Sequence, residues 1–189
     1  MNHFEQEVTL LGTIKKDFRL ITLFLIPIGI VVNGAGGWVI AKLNIPFYLD
    51  SVGTILVAIV AGPIAGAITG VITNIILGFV SESYAPYWSV PLCMGLVAGF
   101  CANAGMFQHW RKVVLVGIFV ALTAALLSTL IAMKTYGGGT FSFYYFLVEE
   151  PVDKITTALI VFGITRVIPK RLTAYLPRPE NIEIVENPK

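Results

Sequence analysis

"GPIAGAITGVITNIILG", residues 62–78, carries a glycine or a short polar side chain at every fourth position. These positions are Gly62, Gly66, Gly70, Asn74 and Gly78. A spacing of four places them along one face of an α-helix, and that face is left almost bare of side chains. Bare stripes of this kind let helix backbones approach closely and are typical of helices that pack in membranes. The segment therefore predicts one helix of a membrane bundle.

The composition of the whole chain supports this interpretation. Its 189 residues are 56% hydrophobic and 13% charged, and the mean hydropathy is +0.82. Soluble domains carry about 25% charged residues. We therefore predict a polytopic membrane protein with a single transmembrane domain. A net charge of +2, without basic runs interleaved with aromatics, argues against nucleic acid as a partner.

The apolar segments predict six transmembrane helices and an all-α fold. A helix needs about 20 apolar residues to cross the hydrocarbon core. The uncharged stretch 51–80 is too long for one span, and Gly62-Pro63 predicts a break within it. If that stretch were continuous, the count would be five. The predicted helices are 20–41, 51–61, 63–79, 87–106, 113–133 and 151–168.

The distribution of basic residues predicts that both termini are cytoplasmic. Of thirteen Lys and Arg, only Lys42, Lys134 and Lys154 fall in the predicted outer segments. In residues 1–18 apolar side chains recur every three or four positions with charged residues between them, as expected for an amphipathic helix on the inner membrane surface. Residues 19–170 form the six-helix domain, and 171–189 form a Pro-rich, charged cytoplasmic tail that we expect to be loose.

Signatures of catalysis are missing from the sequence. The ATP-binding pattern G-x-x-x-x-G-K-[ST] is absent, and both histidines, His3 and His109, lie outside the predicted helices. We therefore expect no enzymatic activity, and no metal or cofactor. Gradient-driven carriers usually keep ionisable groups at mid-membrane. No such group lies near the centre of a predicted helix.

Polar residues instead gather towards the predicted outer side. Segments 44–51, 81–91 and 135–154 are rich in tyrosine and acids, and 135–154 is a loop long enough to serve as a lid or binding loop. The amides could alternatively bond neighbouring helices, and the aromatics could form an interfacial belt. The predicted substrate-binding residues are Asn33, Tyr48, Asp50, Asn74, Glu82, Tyr87, Trp88, Glu149, Glu150, Asp153 and Lys154.

The small-residue stripe recurs in the first helix, where Gly29, Asn33, Gly37 and Ala41 are spaced by four. Two interpretations are open. The stripes either pack helices within the chain or form a smooth face that docks on a partner. The candidate docking residues are Gly29, Gly37, Ala41, Gly62, Gly66 and Gly70.

The segment "NIPFYLDSVGTILVAIVAGPIAGAITGVITNIILG", residues 44–78, resembles the substrate-binding S component of energy-coupling factor (ECF) vitamin transporters. The resemblance rests on YLDS-V-GT followed by the Gly/Ala-rich GP turn, and it covers about residues 15–172. It implies a cell-membrane protein that captures a water-soluble vitamin or precursor outside. It also implies docking on a transmembrane coupling subunit that carries two cytoplasmic ATPases. Family members dock through small residues of the first helix, for which Gly29-x-x-x-Asn33 and Gly37-x-x-x-Ala41 stand in here.

The predicted site favours a neutral or cationic ring as substrate, because acids outnumber the single base Lys154. Vitamin B6 or hydroxymethylpyrimidine fits that description. Pantothenate stays open, although its carboxylate would need Lys154 or a helix N-terminus. Two other functions also stay open: a stand-alone secondary carrier or channel, and a structural or enzymatic membrane subunit.

Overall fold

The computed structural model describes residues 20–43, 48–137 and 139–182, and these contain helices but no strand. The predicted amphipathic segment 1–18 lies outside the described residues. Within the described residues six helices form the bundle: α1 Leu20–Leu43, α2 Val52–Ala61, α3 Pro63–Val80, α4 Ser89–Asn103, α5 Trp110–Tyr136 and α6 Gly139–Val167. Shorter turns follow at Lys170–Thr173 (α7) and, as 3-10 helices, at Glu82–Tyr87, Met106–Gln108 and Pro179–Asn181.

Three of the helices, α1, α3 and α5, are long and apolar enough to cross a membrane, whereas α2 and α4 are apolar but shorter. Large apolar side chains such as Phe24, Val31, Phe119 and Leu130 are exposed on the outside of the bundle. An apolar outer surface suits lipid rather than water. The all-α class is thus confirmed, and the long apolar helices indicate a membrane-embedded protein.

The predicted break in residues 51–80 is confirmed at Gly62. Its backbone has φ 104° and ψ 167°, a conformation that side chains with a Cβ rarely adopt. Pro63 follows as the first residue of α3, where its missing N–H removes no helical hydrogen bond. Residues 51–80 therefore form two helices.

The short helix α2 lies at the centre of the bundle. Its ten residues span about 15 Å, half the thickness of a hydrocarbon core. All of them are buried except Leu56, which is half-buried. Gly53, near the start of α2, packs directly against Gly29 of α1, so α2 begins about halfway along α1. A full-length helix at this position would fill the space above the start of α2, and that space is instead a cavity.

Most of segment 135–154 is helical, so the prediction of an outer loop there is wrong. The turn ends near Gly137, whose φ of 70° suits glycine, and α6 begins at Gly139 rather than at residue 151. The helix continues through Pro151. The acids and Lys154 led to the prediction of a loop, but Glu150 and Lys154 form an ion pair one turn apart within the helix. Ionisable residues therefore lie in the middle of α6, contrary to the sequence prediction.

The expectation of a loose tail is also wrong as far as Ile182. Leu176 and Ile182 are buried in the core. The Arg178 backbone N–H donates to the Val60 carbonyl at 3.0 Å, and Asn181 Nδ2 donates to the Ile59 carbonyl at 2.8 Å. These bonds satisfy carbonyl groups at the C-terminal end of α2, which have no partner within the helix. The tail therefore caps the central helix.

Candidate functional site

A cavity of about 370 Å³ opens at the end of the bundle where α1, α3 and α5 finish and α2, α4 and α6 begin. This volume lies within the range of about 300–1,000 Å³ found for small-molecule sites. Its deep part is lined by buried polar residues, and exposed tyrosines stand at its mouth. Seven of the predicted substrate-binding residues line it: Asn33, Tyr48, Asp50, Asn74, Tyr87, Glu150 and Lys154.

The other four predicted residues do not line the cavity. Glu82 is exposed. Trp88 is half exposed and lines a separate shallow groove beside Phe79. Glu149 lies next to Tyr48 and Tyr145. Asp153 is fully buried behind the cavity wall, where it contacts Lys154.

A charged cluster forms the wall contributed by α6. Lys154 Nζ contacts the Asp153 carboxylate closely and lies 3.5 Å from Glu150 Oε2 and 3.9 Å from Asp50 Oδ1. It also donates to Ser51 Oγ at 3.3 Å. Lys154 is only 4% exposed, so this cluster is largely removed from bulk water. Buried charges are tolerated only when they are paired in this way.

The loop before α2 is fixed in place by the same cluster. The Leu49 backbone N–H donates to Asp153 Oδ1 at 3.0 Å. Leu49 has φ 45°, a left-handed conformation that is unfavourable for a residue with a branched side chain. Burial raises the pKa of the neighbouring Asp50 carboxyl, and the attraction of Lys154 opposes that rise. Asp153 therefore positions the loop that carries Asp50.

Asn33 lines the cavity, and its side chain also holds the fold together. Its Nδ2 donates to Thr54 Oγ1 at 2.8 Å and to Thr73 Oγ1 at 3.0 Å. Its Oδ1 accepts the Gly53 and Thr54 backbone N–H groups at 2.7 and 3.1 Å. An amide has two donors and two acceptor sites, and all four are used. Asn33 caps the N-terminus of α2 from a neighbouring helix and ties α1 to α3.

We expect Asn33→Ala to lower the free energy of unfolding by about 2 kcal/mol, because it leaves buried donors of α2 without an acceptor. Thermal unfolding of the purified protein in detergent measures the change. The control is Thr123→Ala, which removes an exposed hydroxyl bonded only to the carbonyl of its own helix. Equal melting temperatures for the two variants would contradict the capping role.

Asn74 lines the cavity and also holds a neighbouring segment in position. Its Nδ2 donates to the Tyr84 carbonyl at 2.7 Å, which attaches the 3-10 segment Glu82–Tyr87 to α3. That segment brings Tyr84 and Tyr87 to the cavity wall. Burial raises the pKa of both phenols, so they stay protonated at neutral pH and can donate hydrogen bonds. The asparagine thus positions two tyrosines.

Several cavity residues were missing from the predicted set. Five are serines or threonines, and three are tyrosines recognised in the sequence only as part of the outer segments. They are Ser51, Thr54, Thr73, Ser83 and Ser128, and Tyr84, Tyr136 and Tyr145. Helical phase was a usable signal for Ser128, because it lies eight residues before Tyr136, about two turns.

Four of the six predicted docking residues are buried within the chain, which favours internal packing for them, and docking on a partner stays a prediction. Gly29, Gly62, Gly66 and Gly70 are buried. A Cβ at Gly29 would stand 2.7 Å from a Val57 methyl group, and one at Gly70 would stand 2.8 Å from Pro91 Cβ. Gly37 faces Asp50 at 3.5 Å by the same construction. Only Ala41 of the six candidates is exposed.

Comparison of the chain with protein-family models, with curated proteins and with solved structures finds no match. The residues of the cavity therefore carry the functional interpretation.

Proposed function

We propose that the chain is the substrate-capture subunit, or S component, of an ATP-driven ECF importer for a water-soluble vitamin or precursor. The observation that supports this most is the cavity itself, which combines buried polar groups and aromatic rings at one end of an apolar helical bundle. Small-molecule sites are typically concave and combine aromatic walls with a few fixed polar groups. The sequence contains no nucleotide-binding motif, so the energy for import would come from partner subunits.

In this proposal α1 to α6 cross the cell membrane, both termini are cytoplasmic, and the cavity opens outward. The basic residues support that orientation, since ten of thirteen fall on the inner side when the six helices are threaded in order. A transmembrane coupling subunit and two cytoplasmic ATPases complete the importer. The half-length helix α2 fits such a protein, because irregular backbone at membrane depth is tolerated where it lines a cavity.

The proposed substrate is a pyridine or pyrimidine vitamin, such as B6 or hydroxymethylpyrimidine. Tyrosine rings at the cavity wall suit a planar ring, and the carboxylates suit its N–H or O–H donors. Pantothenate is the alternative, but it fits less well. Its carboxylate would need Lys154, which three carboxylates already surround, or the N-terminus of α2, whose N–H groups Asn33 occupies.

Ligand binding by the purified chain alone tests this function. Isothermal titration calorimetry in detergent against B vitamins and their precursors is the suitable method, because Trp88 lies outside the cavity and makes tryptophan fluorescence an indirect probe. We expect saturable binding of one compound at submicromolar concentration. Absence of binding across the panel, by protein shown to be folded, would contradict the proposal.

Asp50→Asn is expected to weaken that binding at least tenfold without preventing folding. Asp50 lines the cavity and its carboxylate is the one farthest from Lys154, so the loss of its charge leaves the closer pairs intact. Calorimetry on the variant measures the effect. Glu82→Gln serves as the control, because Glu82 is exposed and outside the cavity. Equal affinity in both variants would move the site away from Asp50.

A stand-alone secondary carrier is the second candidate function. It is favoured by one observation, that Glu149, Glu150, Asp153 and Lys154 lie in the middle of α6 rather than in a loop. Ionisable groups within a transmembrane helix commonly mark an ion or proton pathway. Vesicles containing this chain alone distinguish the two functions. Uptake that stops when an ion gradient is collapsed would support the carrier, whereas the S component requires its partners and ATP.

A further inference from the structure

Acidic groups outnumber basic groups at the cavity. Asp50 and Glu150 line it together with Lys154, and Asp153 lies directly behind them. Three carboxylates thus surround one ammonium group, so acidic groups outnumber basic ones beside the cavity. Lys154 is the only lysine or arginine among the described residues that line it. The field inside the cavity therefore attracts cations and repels anions.

Lys154 is poorly placed to bind an anionic ligand. An ammonium group has three hydrogen-bond donors. Asp153 and Ser51 accept two of those of Lys154. The Glu150 and Asp50 carboxylates lie 3.5 and 3.9 Å away as ion-pair contacts without a hydrogen bond. A ligand carboxylate that reached the third donor would face three carboxylates of the chain. Lys154 is thus a counter-ion that holds the carboxylates of the cluster together.

Glu150 has an unused acceptor at the cavity wall. Its side chain is more than nine-tenths buried, yet Oε2 accepts no hydrogen bond from the residues that the structure describes. A buried acceptor without a donor is unfavourable, and more so when the group is charged. A ligand N–H placed in the cavity would supply the missing donor. Tyr84, Tyr87 and Tyr145 line the same cavity, and aromatic faces also attract cations.

We propose that the cavity selects a ligand with a positively charged nitrogen, which donates to Glu150 Oε2, and that Lys154 serves as a structural counter-ion. This inference rests on the proposed function, because it concerns the substrate of that same site. It makes Glu150 the residue that determines specificity. It also narrows the substrate class from neutral or cationic rings to those that carry a cationic group when bound.

Two matched series of compounds test the inference on the full chain by calorimetry. Pyridoxamine, pyridoxine and 4-pyridoxate share one ring and carry an aminomethyl, a hydroxymethyl or a carboxylate group at the same position. The second series is 4-amino-2-methylpyrimidine with the same three groups at position 5. We expect the amine to bind at least tenfold more tightly than the carboxylate in whichever series binds. The alcohol serves as the neutral reference.

Glu150→Gln is expected to reduce this preference for the amine over the carboxylate at least tenfold. The control is Glu82→Gln, an exposed residue outside the cavity, which should leave the preference unchanged. If Glu150→Gln fails to fold, the order of the three compounds on the unaltered protein still decides the question. A carboxylate that binds as tightly as the amine overturns the inference, as does an unchanged preference in folded Glu150→Gln.

The outcomes separate this inference from the proposed function. If the tightest ligand of the vitamin panel is neutral or anionic, such as riboflavin or pantothenate, the capture function stands and the charge selection is wrong. If the tightest ligand is a cation outside both series, such as thiamine, the inference is supported. If no compound binds to folded protein, the capture function itself is contradicted and the inference falls with it.

Discussion

Lys154→Met is expected to lower the free energy of unfolding by about 3–5 kcal/mol, the range seen when one partner of a buried ion pair is removed. Methionine is an unbranched side chain close to lysine in length, but it leaves Asp50, Glu150 and Asp153 facing one another without a cation. The carboxylates repel, and Asp153 is fully buried, so solvent cannot screen its charge. Thermal or denaturant-induced unfolding in detergent measures the loss.

Lys134→Met is the matched control, because Lys134 is exposed at the end of α5 and its replacement should change stability little. The double variant Lys154→Met/Asp153→Asn should recover part of the loss, since it removes the most buried of the stranded charges. A single variant as stable as the control would mean that Lys154 does not hold the cluster together. A ligand-binding role for Lys154 would then be open again.

The sequence predicted the helices well wherever hydropathy alone decided. The break at Gly62-Pro63 was found because glycine and proline have specific backbone requirements that can be read locally. The start of α6 was missed by twelve residues because charged side chains were taken to exclude a buried helix. Charged side chains are excluded from a buried helix only when they are unpaired. Two partners of Lys154, Asp50 and Ser51, lie about a hundred residues away in the sequence. Pairing over that distance cannot be read from a local pattern.

The candidate site shows the same division between local and distant signals. Seven of the eleven residues that were predicted from residue type and approximate depth in the membrane line the cavity. Residue type and depth could not reveal that Asn33 already uses all its hydrogen-bonding groups on α2 and α3, since this depends on where Gly53 and Thr73 lie. Asp153 was predicted to bind substrate because of its charge, yet its carboxylate accepts the Leu49 N–H and forms an ion pair with Lys154. Satisfied polar groups build the site, and unsatisfied ones remain for a ligand.

The central helix α2 connects the residues that hold the fold together with those that line the cavity. It is held at its start by the amide of Asn33 and at its end by Arg178 and Asn181, three residues that are distant along the chain. Because α2 is only ten residues long, its start defines the floor of the cavity through Ser51 and Thr54. The depth of the cavity is therefore set by where α2 is capped. Close contact with α1 and α3 is needed to keep it there, and the glycines provide that contact.

Gly66→Ala is expected to lower the free energy of unfolding by about 3 kcal/mol, at the upper end of the range for overpacking in a tight core. A Cβ at Gly66 would stand 2.7 Å from Ala58 Cα and 2.9 Å from the Ala58 nitrogen. These are backbone atoms of α2, so no side-chain rotation relieves the overlap and α2 must move away from α3. The melting temperature of the purified chain, without any partner, measures the effect.

Gly34→Ala is the matched control for this change. Gly34 is also a helical glycine, but a Cβ there would meet nothing within 4 Å. Alanine should therefore stabilise α1 by about 0.5–1 kcal/mol, the usual gain over glycine inside a helix. A docking role for Gly66 makes the opposite forecast for the isolated chain, because a residue that contacts only a partner can be enlarged without loss of stability. Gly66→Ala could instead have a melting temperature equal to or above that of the control but no longer assemble with a coupling subunit. The stripe would then face a partner, and the internal packing of α2 against α3 would be wrong.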